Sequence, residues 1–209
     1  PPANINIEDG LWHNVVFSWD PNTNNFKVVF DGTTIVNYTN NIVSRGHKLI
    51  HLGDFILGSR PTKRTKDNFL NVTSAVNGDL ALLLGNHDTL KKDVYLNLGF
   101  NLVIDNPIII VDGDEHIEET PIGINAPCVI IEINGKIVMF SHFPVFDRCP
   151  FDEKYIKNYN YLESLYKQYK CELNIHGHTH KNNSEFKDAI NVCLEVNDYK
   201  PLLIDDLIK

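Results

Sequence analysis

The sequence lacks the features that mark membrane proteins and proteins with a nucleic-acid-binding face. No apolar run approaches the ~20 residues that a membrane-spanning helix needs, and no basic flank with an apolar stretch opens the chain. Lys and Arg number 19 against 27 Asp and Glu, a formal charge of -8 that argues against a broad basic surface. We therefore expect neither a membrane nor a nucleic-acid partner. A small or local phosphate substrate is compatible with this charge, and the oligomeric state is not indicated.

Cysteine is sparse as well. The 4 cysteines are spread along the chain without a C-x-x-C pair, which fits neither a zinc knuckle nor a dense disulfide scaffold. Reduced, buried thiols are the simpler interpretation, and they favour a cytoplasmic location. Because the chain starts at Pro1 rather than Met, a missing natural start with a lost signal peptide stays open.

The chain changes in texture near residue 45. Its 209 residues, 43% of them hydrophobic, suffice for one large domain or for one domain with an appendage. Residues 1–45 hold both tryptophans and alternate with period two, as β-strands do. Strands are predicted over residues 13–19, 26–30 and 34–38. Turns at 21–24 and 31–32 would join them into a short antiparallel β meander.

Residues 46–209 alternate short apolar segments with amphipathic ones, the pattern of an α/β domain. Strands are predicted over 48–52, 80–84, 102–104, 108–111, 128–133, 136–140, 173–175 and 190–196. Helices are predicted over 68–76, 90–98 and 152–169, with C-terminal caps at Asn77-Gly78 and at Gly99. We expect mixed sheets with flanking helices and an abrupt junction near residues 44–46, since no linker separates the two textures.

Four short polar motifs follow predicted strands, each at the point where a strand ends. They are Gly53-Asp54, Gly85-Asn86-His87-Asp88, Ser141-His142 and Gly177-His178-Thr179-His180. Ligands of α/β sheets bind beyond the carboxyl ends of the strands, so residues distant in sequence converge there. Carboxylate, amide and imidazole groups together suit borderline divalent metals. The four motifs therefore predict a metal site at the strand ends.

Each motif alone has an ordinary structural explanation. A single Asp after a strand is usually a turn or cap residue, and a lone His142 is more often a hydrogen-bonded core residue. His178 and His180 share a face only in extended structure. The Gly-Asn-His-Asp motif after an apolar run is the most specific single indication. The order of all four motifs, with their strand contexts, is what favours a metal site over these explanations.

In this order the motifs resemble the second to fifth signature motifs of the calcineurin-like metallophosphoesterase superfamily. The resemblance rests on HLGDF at 51–55, LGNHD at 84–88, FSHFP at 140–144 and HGHTH at 176–180. The closing segment 191–201 also resembles the tail of small bacterial and phage members. The resemblance covers about residues 46–209. It implies an α/β metallophosphoesterase sandwich that hydrolyses phosphate mono- or diesters with divalent metal ions, namely Mn, Fe, Ni or Zn.

The metal ligands that this resemblance implies are Asp54, Asn86, His142, His178 and His180. Asp54 would bridge the two metals of the family, and His180 would bind the first metal. The other three residues would complete the shell of the second metal. Two metals ~3.5–4 Å apart would activate a hydroxide and clamp the attacking and leaving oxygens.

The implied catalytic residues are His87 and Asp88. His87 would not bind metal but would face the phosphate, where it would stabilise developing charge or protonate the leaving alkoxide. Asp88 would orient the ring of His87 from behind.

The resemblance fails at the first signature motif, a strand ending in Asp-x-His that supplies two ligands of the first metal. No Asp-x-His precedes Asp54. The chain could be a piece of a longer protein, the product of a recombined gene, or a variant with replacement ligands from Asp9, His13, Asp20 or His47. We favour the first two explanations, because a replacement must reach ~2.0–2.2 Å from a metal in ordered geometry. We expect one bound metal and reduced enzymatic activity.

Residues 1–45 resemble part of a concanavalin A-like or laminin G-like lectin sandwich, through DGLWHNV at 9–15 and FKVVFDG at 26–32. A whole sandwich needs ~100 residues or more, so this would be a fragment, and an unrelated β appendage stays open. The alternative function is therefore a carbohydrate-binding module fused to a catalytically inactive phosphoesterase scaffold. Glycan binding that survives a chelator would distinguish it from metal-dependent turnover.

Three further stretches receive structural interpretations. Residues 112–116 are acidic but lack the alternating ligands of a calcium loop, and they predict the turn of a β-hairpin. The basic residues 63–66 could meet an anionic substrate, but a solvated loop is favoured. Ser141 lies outside any Gly-x-Ser-x-Gly elbow, which argues against a serine hydrolase.

Overall fold

The structure is a computed structural model that describes residues 15–20, 25–30, 33–39, 49–55, 63–74, 79–146, 153–182, 184–198 and 201–208. Its backbone forms two compact units. The first unit comprises residues 1–49, 61–80 and 93–101, and the second comprises 50–60, 81–92 and 102–209. All four polar motifs belong to the second unit. The predicted caps at Asn77-Gly78 and the junction at 44–46 lie outside the described residues.

The described elements are named in chain order. The strands are β1 (Val15–Asp20), β2 (Asn25–Phe30), β3 (Thr33–Thr39), β4 (Leu49–Leu52), β5 (Leu80–Leu83), β6 (Leu102–Ile104), β7 (Ile108–Val111), β8 (Asp114–Ile117), β9 (Cys128–Ile133), β10 (Lys136–Ser141), β11 (Leu173–His176) and β12 (Ala189–Asn191). The helices are α1 (Lys63–Ser74), α2 (Lys92–Asn97), α3 (Ile156–Gln168) and α4 (Ile204–Leu207). Single 3₁₀ turns cover Glu153–Tyr155 and Leu194–Val196.

The first unit contains the predicted meander. Strands β1 and β2 pair antiparallel, with Phe17 opposite Val28, and β2 pairs antiparallel with β3, with Val28 opposite Val36. The order β1-β2-β3 confirms the short antiparallel meander, with bounds that move by one or two residues. Alternating apolar residues make these strands, as the period-two pattern predicted.

Helix α1 starts earlier than the sequence predicts, and this corrects two expectations. The helix covers Lys63–Ser74 instead of residues 68–76, so the basic stretch 63–66 is its first turn and not a solvated loop. The first turn carries no acidic residue, which removes the usual signal of a helix start. Near the other end of the helix, Thr73 is buried and its hydroxyl hydrogen-bonds the carbonyl of Leu98. Gly99 follows at φ 97, which fits the cap predicted there.

The second unit is built on a six-stranded mixed sheet with the order β12-β11-β10-β9-β7-β8. Strands β10, β11 and β12 are parallel to one another, β9 is antiparallel to β10, and β7 is parallel to β9. Strand β8 turns back on β7 at Asp112-Gly113, which confirms the hairpin predicted there. A second sheet of three strands has the order β4-β5-β6, with β5 and β6 parallel.

The central strands of the six-stranded sheet are buried on both faces, because their alternate residues enter two different clusters. Ile130 and Met139 pack with helix α3, which contributes Tyr159, Leu162, Leu165 and Tyr166. Their neighbours Val129 and Val138 pack instead with the three-stranded sheet, through Leu52, Leu83 and Ile104. Each fully buried aliphatic side chain stabilises the fold by about 1.5–3 kcal/mol. The result is the predicted α/β sandwich, with both sheets and α3 in layers.

The end of the chain departs from the predicted strand over 190–196. Strand β12 stops at Asn191, and a 3₁₀ turn follows at Leu194–Val196. Side-chain amides explain the stop, since the Asn197 Nδ2 donates to the carbonyls of Asn191 and Cys193 at 3.2 and 2.8 Å. These bonds take backbone acceptors away from a strand ladder. Among the described residues, no helix combines the length and the apolar character needed to cross a membrane.

Candidate metal centre

His142 lies at the centre of the candidate site. It directly follows β10 and is 2% exposed. Its Nδ1 lies 2.8 Å from the carbonyl oxygen of Leu52 at the end of β4, and because a carbonyl only accepts, Nδ1 is the donor. In the neutral ring this leaves the lone pair on Nε2. One imidazole is thus fixed with its coordinating atom facing away from the backbone.

Three further ligand atoms surround the Nε2 of His142. Asn86 Oδ1 lies 2.8 Å away, His178 Nδ1 lies 3.1 Å away, and Asp54 Oδ2 lies 3.3 Å away. Ligand atoms of Asp54, His142 and His178 all lie within 4.8 Å of one another. Lone pairs that face one another in a partly buried site repel, and a cation bound between them offsets this repulsion. A carboxylate, an amide and two imidazoles fit a borderline divalent metal, so the residues present suit the ion that the motifs predict.

Asp54 is held for this role by its backbone and by its second oxygen. It has φ 56, a left-handed conformation that non-glycine residues rarely adopt and that often marks functional sites. Its Oδ1 accepts a hydrogen bond from the backbone N–H of His87 at 2.8 Å, which leaves Oδ2 directed at His142. Burial raises the pKa of Asp54, but its contact with His142, with smaller effects from His87, outweighs burial and lowers the pKa to about 2. The carboxylate is therefore ionised at neutral pH.

Glycines make room for the ligands. A Cβ on Gly53 would overlap the ring of His142, and a Cβ on Gly85 would overlap Asp54. Gly53 also has φ 87, where a side chain would be strained. A Cβ on Gly177 would lie 2.9 Å from the carbonyl oxygen of Leu52. The glycines of these three motifs are thus required by close packing around His142.

His178 lies between the ligands and an aromatic wall. Its φ of 67 is also left-handed. Its ring centroid is 4.9 Å from that of His142, 4.6 Å from that of Phe143 and 6.2 Å from that of Tyr155. Lys154 places its ammonium 4.6 Å from the centroid of the Tyr155 ring. The ligand set therefore has an apolar side and a cation nearby.

His87 and Asp88 lie in the turn after β5. His87 is exposed, and its charge is close enough to Asp54 to help lower that carboxyl's pKa. Asp88 is 5% exposed, and its Oδ2 accepts the N–H of Gly85 at 2.9 Å, which closes the turn. His87 thus faces solvent beside the ligand cluster, where a substrate can reach it. The orientation of His87 by Asp88 stays a prediction.

His180 does not join the other ligands in a common cluster within the described part of the chain. Its Nδ1 lies 2.9 Å from Glu195 Oε1, and its side chain is 73% exposed. The structure therefore assembles four of the five expected ligands and leaves the fifth beside a carboxylate. The replacement candidates Asp9, His13 and His47 lie outside the described residues, and Asp20 is described only as part of β1.

Two residues near the site were not singled out from the sequence. His51 lies in β4 with its Nδ1 enclosed and without a hydrogen-bond partner, and its ring is 5.4 Å from that of Phe55. Burial lowers the pKa of His51, while the charge of Asp88 raises it. Its place two residues before Gly53 was the available signal. The second residue is Glu195, which contacts His180. A strand was predicted over residues 190–196, and a strand there gave no reason to expect this contact.

Ser141 has a structural role. Its Oγ donates to the carbonyl of Phe143 at 2.7 Å and accepts from Asn174 Nδ2 at 2.9 Å. Ser141 is 0% exposed. Its two hydrogen bonds therefore hold the loop that carries His142. This agrees with the argument against a serine hydrolase.

Comparisons with known proteins agree with this geometry. The crystal structure of AQ665, a protein of unknown function from Aquifex aeolicus, superposes with a TM-score of 0.54 at 29% identity, over 77% of this chain and 76% of that one. No curated protein matches the chain significantly. The sequence profile described as calcineurin-like phosphoesterase matches residues 12–182, which include every motif of the site. The chain belongs to the calcineurin-like phosphoesterase family.

Proposed function

We propose that this chain hydrolyses phosphate mono- or diesters with a single well-held divalent metal. The observation that supports this most directly is the convergence of Asp54 Oδ2, Asn86 Oδ1 and His178 Nδ1 on His142 Nε2. These four residues would hold Mn, Fe, Ni or Zn. When bound, such an ion acts as a Lewis acid toward a phosphoryl oxygen and lowers the pKa of water.

The side chains around the ligands have separate tasks in this reaction. His87 would donate a ring N–H proton to the leaving alkoxide oxygen, since it is exposed beside Asp54. Phe143 packs against His178, with 4.6 Å between the ring centroids, and would shield that side of the ring from water. The Lys154 ammonium would attract an anionic ester toward this wall. In this proposal the side chains of the protein bind and orient the ester, and His87 supplies the proton.

We propose further that turnover is slow, because the first metal of a binuclear site would keep only Asp54 and His180. Two protein ligands make a weak site. Loss of several kcal/mol of transition-state stabilisation would slow the reaction roughly a thousandfold, at about 1.36 kcal/mol per factor of ten.

Three finer points belong to the same proposal. Residues 1–45 would be a partial lectin-like segment and 46–209 the phosphoesterase domain, although the family match begins at residue 12, inside that segment. The antiparallel pairing of β1, β2 and β3 is compatible with such a fragment. The free thiols of Cys128 and Cys171, both buried, favour a cytoplasmic location.

The test combines metal content with hydrolysis of an aryl phosphodiester. The wild type should bind about one Mn²⁺ per chain, and Asp54→Asn and His142→Ala should each lower both metal content and rate. His116→Ala, which removes an exposed histidine of β8, is the matched control and should change neither. A wild type that binds no Mn²⁺ after loading would refute the proposal.

The proposed slow turnover is tested separately. Residues 1–45 would be replaced by the opening strand, Asp-x-His and following helix of a complete family member. The repaired chain should bind a second metal and turn over faster. If the unmodified chain already binds two metals and is as fast as the repaired one, residues 1–45 supply the missing ligands and the impairment proposal fails.

A further inference from the structure

The side chain of Asn191 holds the backbone of the turn that carries His180. Asn191, the last residue of β12, is 6% exposed. Its Nδ2 donates to the carbonyl of His180 at 2.7 Å and to the carbonyl of Asn182 at 2.9 Å. One buried amide thus fixes both ends of the turn. A buried amide that meets two carbonyls in this way leaves little freedom to the chain between them.

Glu195 fixes the ring of the same residue. It lies in the 3₁₀ turn Leu194–Val196, 15 residues after His180, and its Oε1 is 2.9 Å from His180 Nδ1. A carboxylate only accepts, so His180 donates from Nδ1, and in the neutral ring the lone pair lies on Nε2. The neutral side chain of a free histidine in water prefers the opposite tautomer, with the proton on Nε2. The contact therefore selects the form whose exposed nitrogen can bind a cation.

The turn that carries Glu195 is itself built by side-chain amides. The backbone N–H of Cys193 donates to Asn191 Oδ1 at 2.9 Å, and Asn197 Nδ2 donates to the carbonyl of Cys193 at 2.8 Å. Asn191 is therefore shared between the two turns. An exposed ion pair adds little to stability, so the contact between Glu195 and His180 is not explained as a stabilising bridge. Placement of the ring explains it better, because His180 also holds a left-handed φ of 50.

We propose that Glu195 is a positioning residue, which holds His180 with Nε2 as its ligand atom while Asn191 fixes the backbone beneath. Carboxylates that accept the second N–H of a histidine ligand act in this way at metal sites. The inference rests on the proposed role of His180 as a ligand of the weaker metal. The family match ends at residue 182, so the roles of Asn191 and Glu195 are inferred from their contacts alone.

The first test reads the tautomer of His180 in metal-free protein by ¹⁵N-edited NMR of the histidine rings. Wild type and Glu195→Gln should show the proton on Nδ1, because an amide oxygen also accepts it. Glu195→Ala should shift His180 toward the Nε2–H form and leave the His142 signals unchanged. Glu163→Ala is the matched control. Glu163 is 31% exposed, as Glu195 is 32% exposed, but Glu163 pairs with Lys167 and not with a histidine. An unchanged tautomer in Glu195→Ala would overturn the proposal.

The second test is a Mn²⁺ titration that follows the stronger and the weaker binding events separately. Glu195→Ala should weaken the weaker event by about 10–100-fold and leave the stronger one unchanged, while Glu195→Gln should stay within about threefold of wild type. If Glu195→Gln loses as much affinity as Glu195→Ala, Glu195 binds the metal directly and the positioning role is wrong. If the wild type shows no strong Mn²⁺-binding event, the proposed function is wrong, whichever tautomer of His180 is found.

Discussion

Asn174 offers the sharpest test of how the fold holds the ligand loop. This residue of β11 is 0% exposed, and its Oδ1 accepts the backbone N–H of Val145 at 2.9 Å. Its Nδ2 donates to the carbonyl of Met139 at 3.2 Å and to Ser141 Oγ at 2.9 Å. The amide therefore joins β10 to the loop that begins with His142. We expect Asn174→Ala to lower both stability and metal affinity.

The magnitude follows from the partners that the substitution leaves behind. The N–H of Val145, a residue 1% exposed, would lose its acceptor, at about 1–3 kcal/mol for a buried unsatisfied donor. The two donated bonds would each remove about 0.5–1.5 kcal/mol. Together these give a loss of about 2–6 kcal/mol in the free energy of unfolding. That is a large part of the ~5–15 kcal/mol of a typical domain.

Urea denaturation with linear extrapolation would measure the loss. Ser141→Ala is a milder second variant that keeps Asn174 and should lose about 1–3 kcal/mol, so the network can be tested even if Asn174→Ala fails to fold. Asn97→Ala, at an exposed position of α2, is the matched control and should stay within about 0.5 kcal/mol of wild type. If Asn174→Ala and the control lose equally little, the buried amide does not hold the loop and the reasoning fails.

Four other predictions concern chemistry. His87→Ala should keep Mn²⁺ but lose about 10²–10⁴-fold in rate on a diester with a poor leaving group, and a loss below tenfold contradicts its role as acid. Gly85→Ala should lose Mn²⁺ in a binding titration, since its methyl group would overlap two ligands; unaltered binding contradicts the packing argument. Burial raises the pKa of Cys128 and that of Cys171, the latter to about 12, so mass spectrometry should find both unlabelled by iodoacetamide until urea unfolds the chain. The pKa of Tyr169 is raised to about 12, first by burial, so its contribution to stability should be present below its ordinary pKa of about 10 and be lost as pH rises through 12. Alkaline denaturation of Tyr169→Phe checks this, and a curve like that of wild type contradicts it.

The sequence predicted most strands of the second unit well, because they combine a short apolar run with a clear break, but the polar strand β8 was not among the predicted strands. Strands β6, β7 and β9 have the predicted bounds, since Asn, Asp or Pro residues flank them. Helix α1 was predicted too short because its first turn holds Lys63 and Arg64, where an acidic residue would have signalled the start.

The candidate site was predictable in its parts and less so in its arrangement. The motifs placed Asp54 and His142 after strands, but the hydrogen bond from His142 to Leu52 depends on the packing of two sheets. Alternating apolar residues from Ile190 to Val196 indicated a strand, and the side-chain amides of Asn191 and Asn197 show why the chain turns there. Side-chain bonds of this kind leave no periodic pattern in a sequence.

The hydrogen bond between His142 and Leu52 has a consequence for motion. It connects β10 of the six-stranded sheet to β4 of the three-stranded sheet across 90 residues of sequence. Any opening that separates the sheets at this edge must break it and disperse the ligands. A bound ion should therefore suppress that opening by the free energy of its binding. Amide hydrogen exchange should slow in both sheets on metal addition, including in strands that no ligand touches.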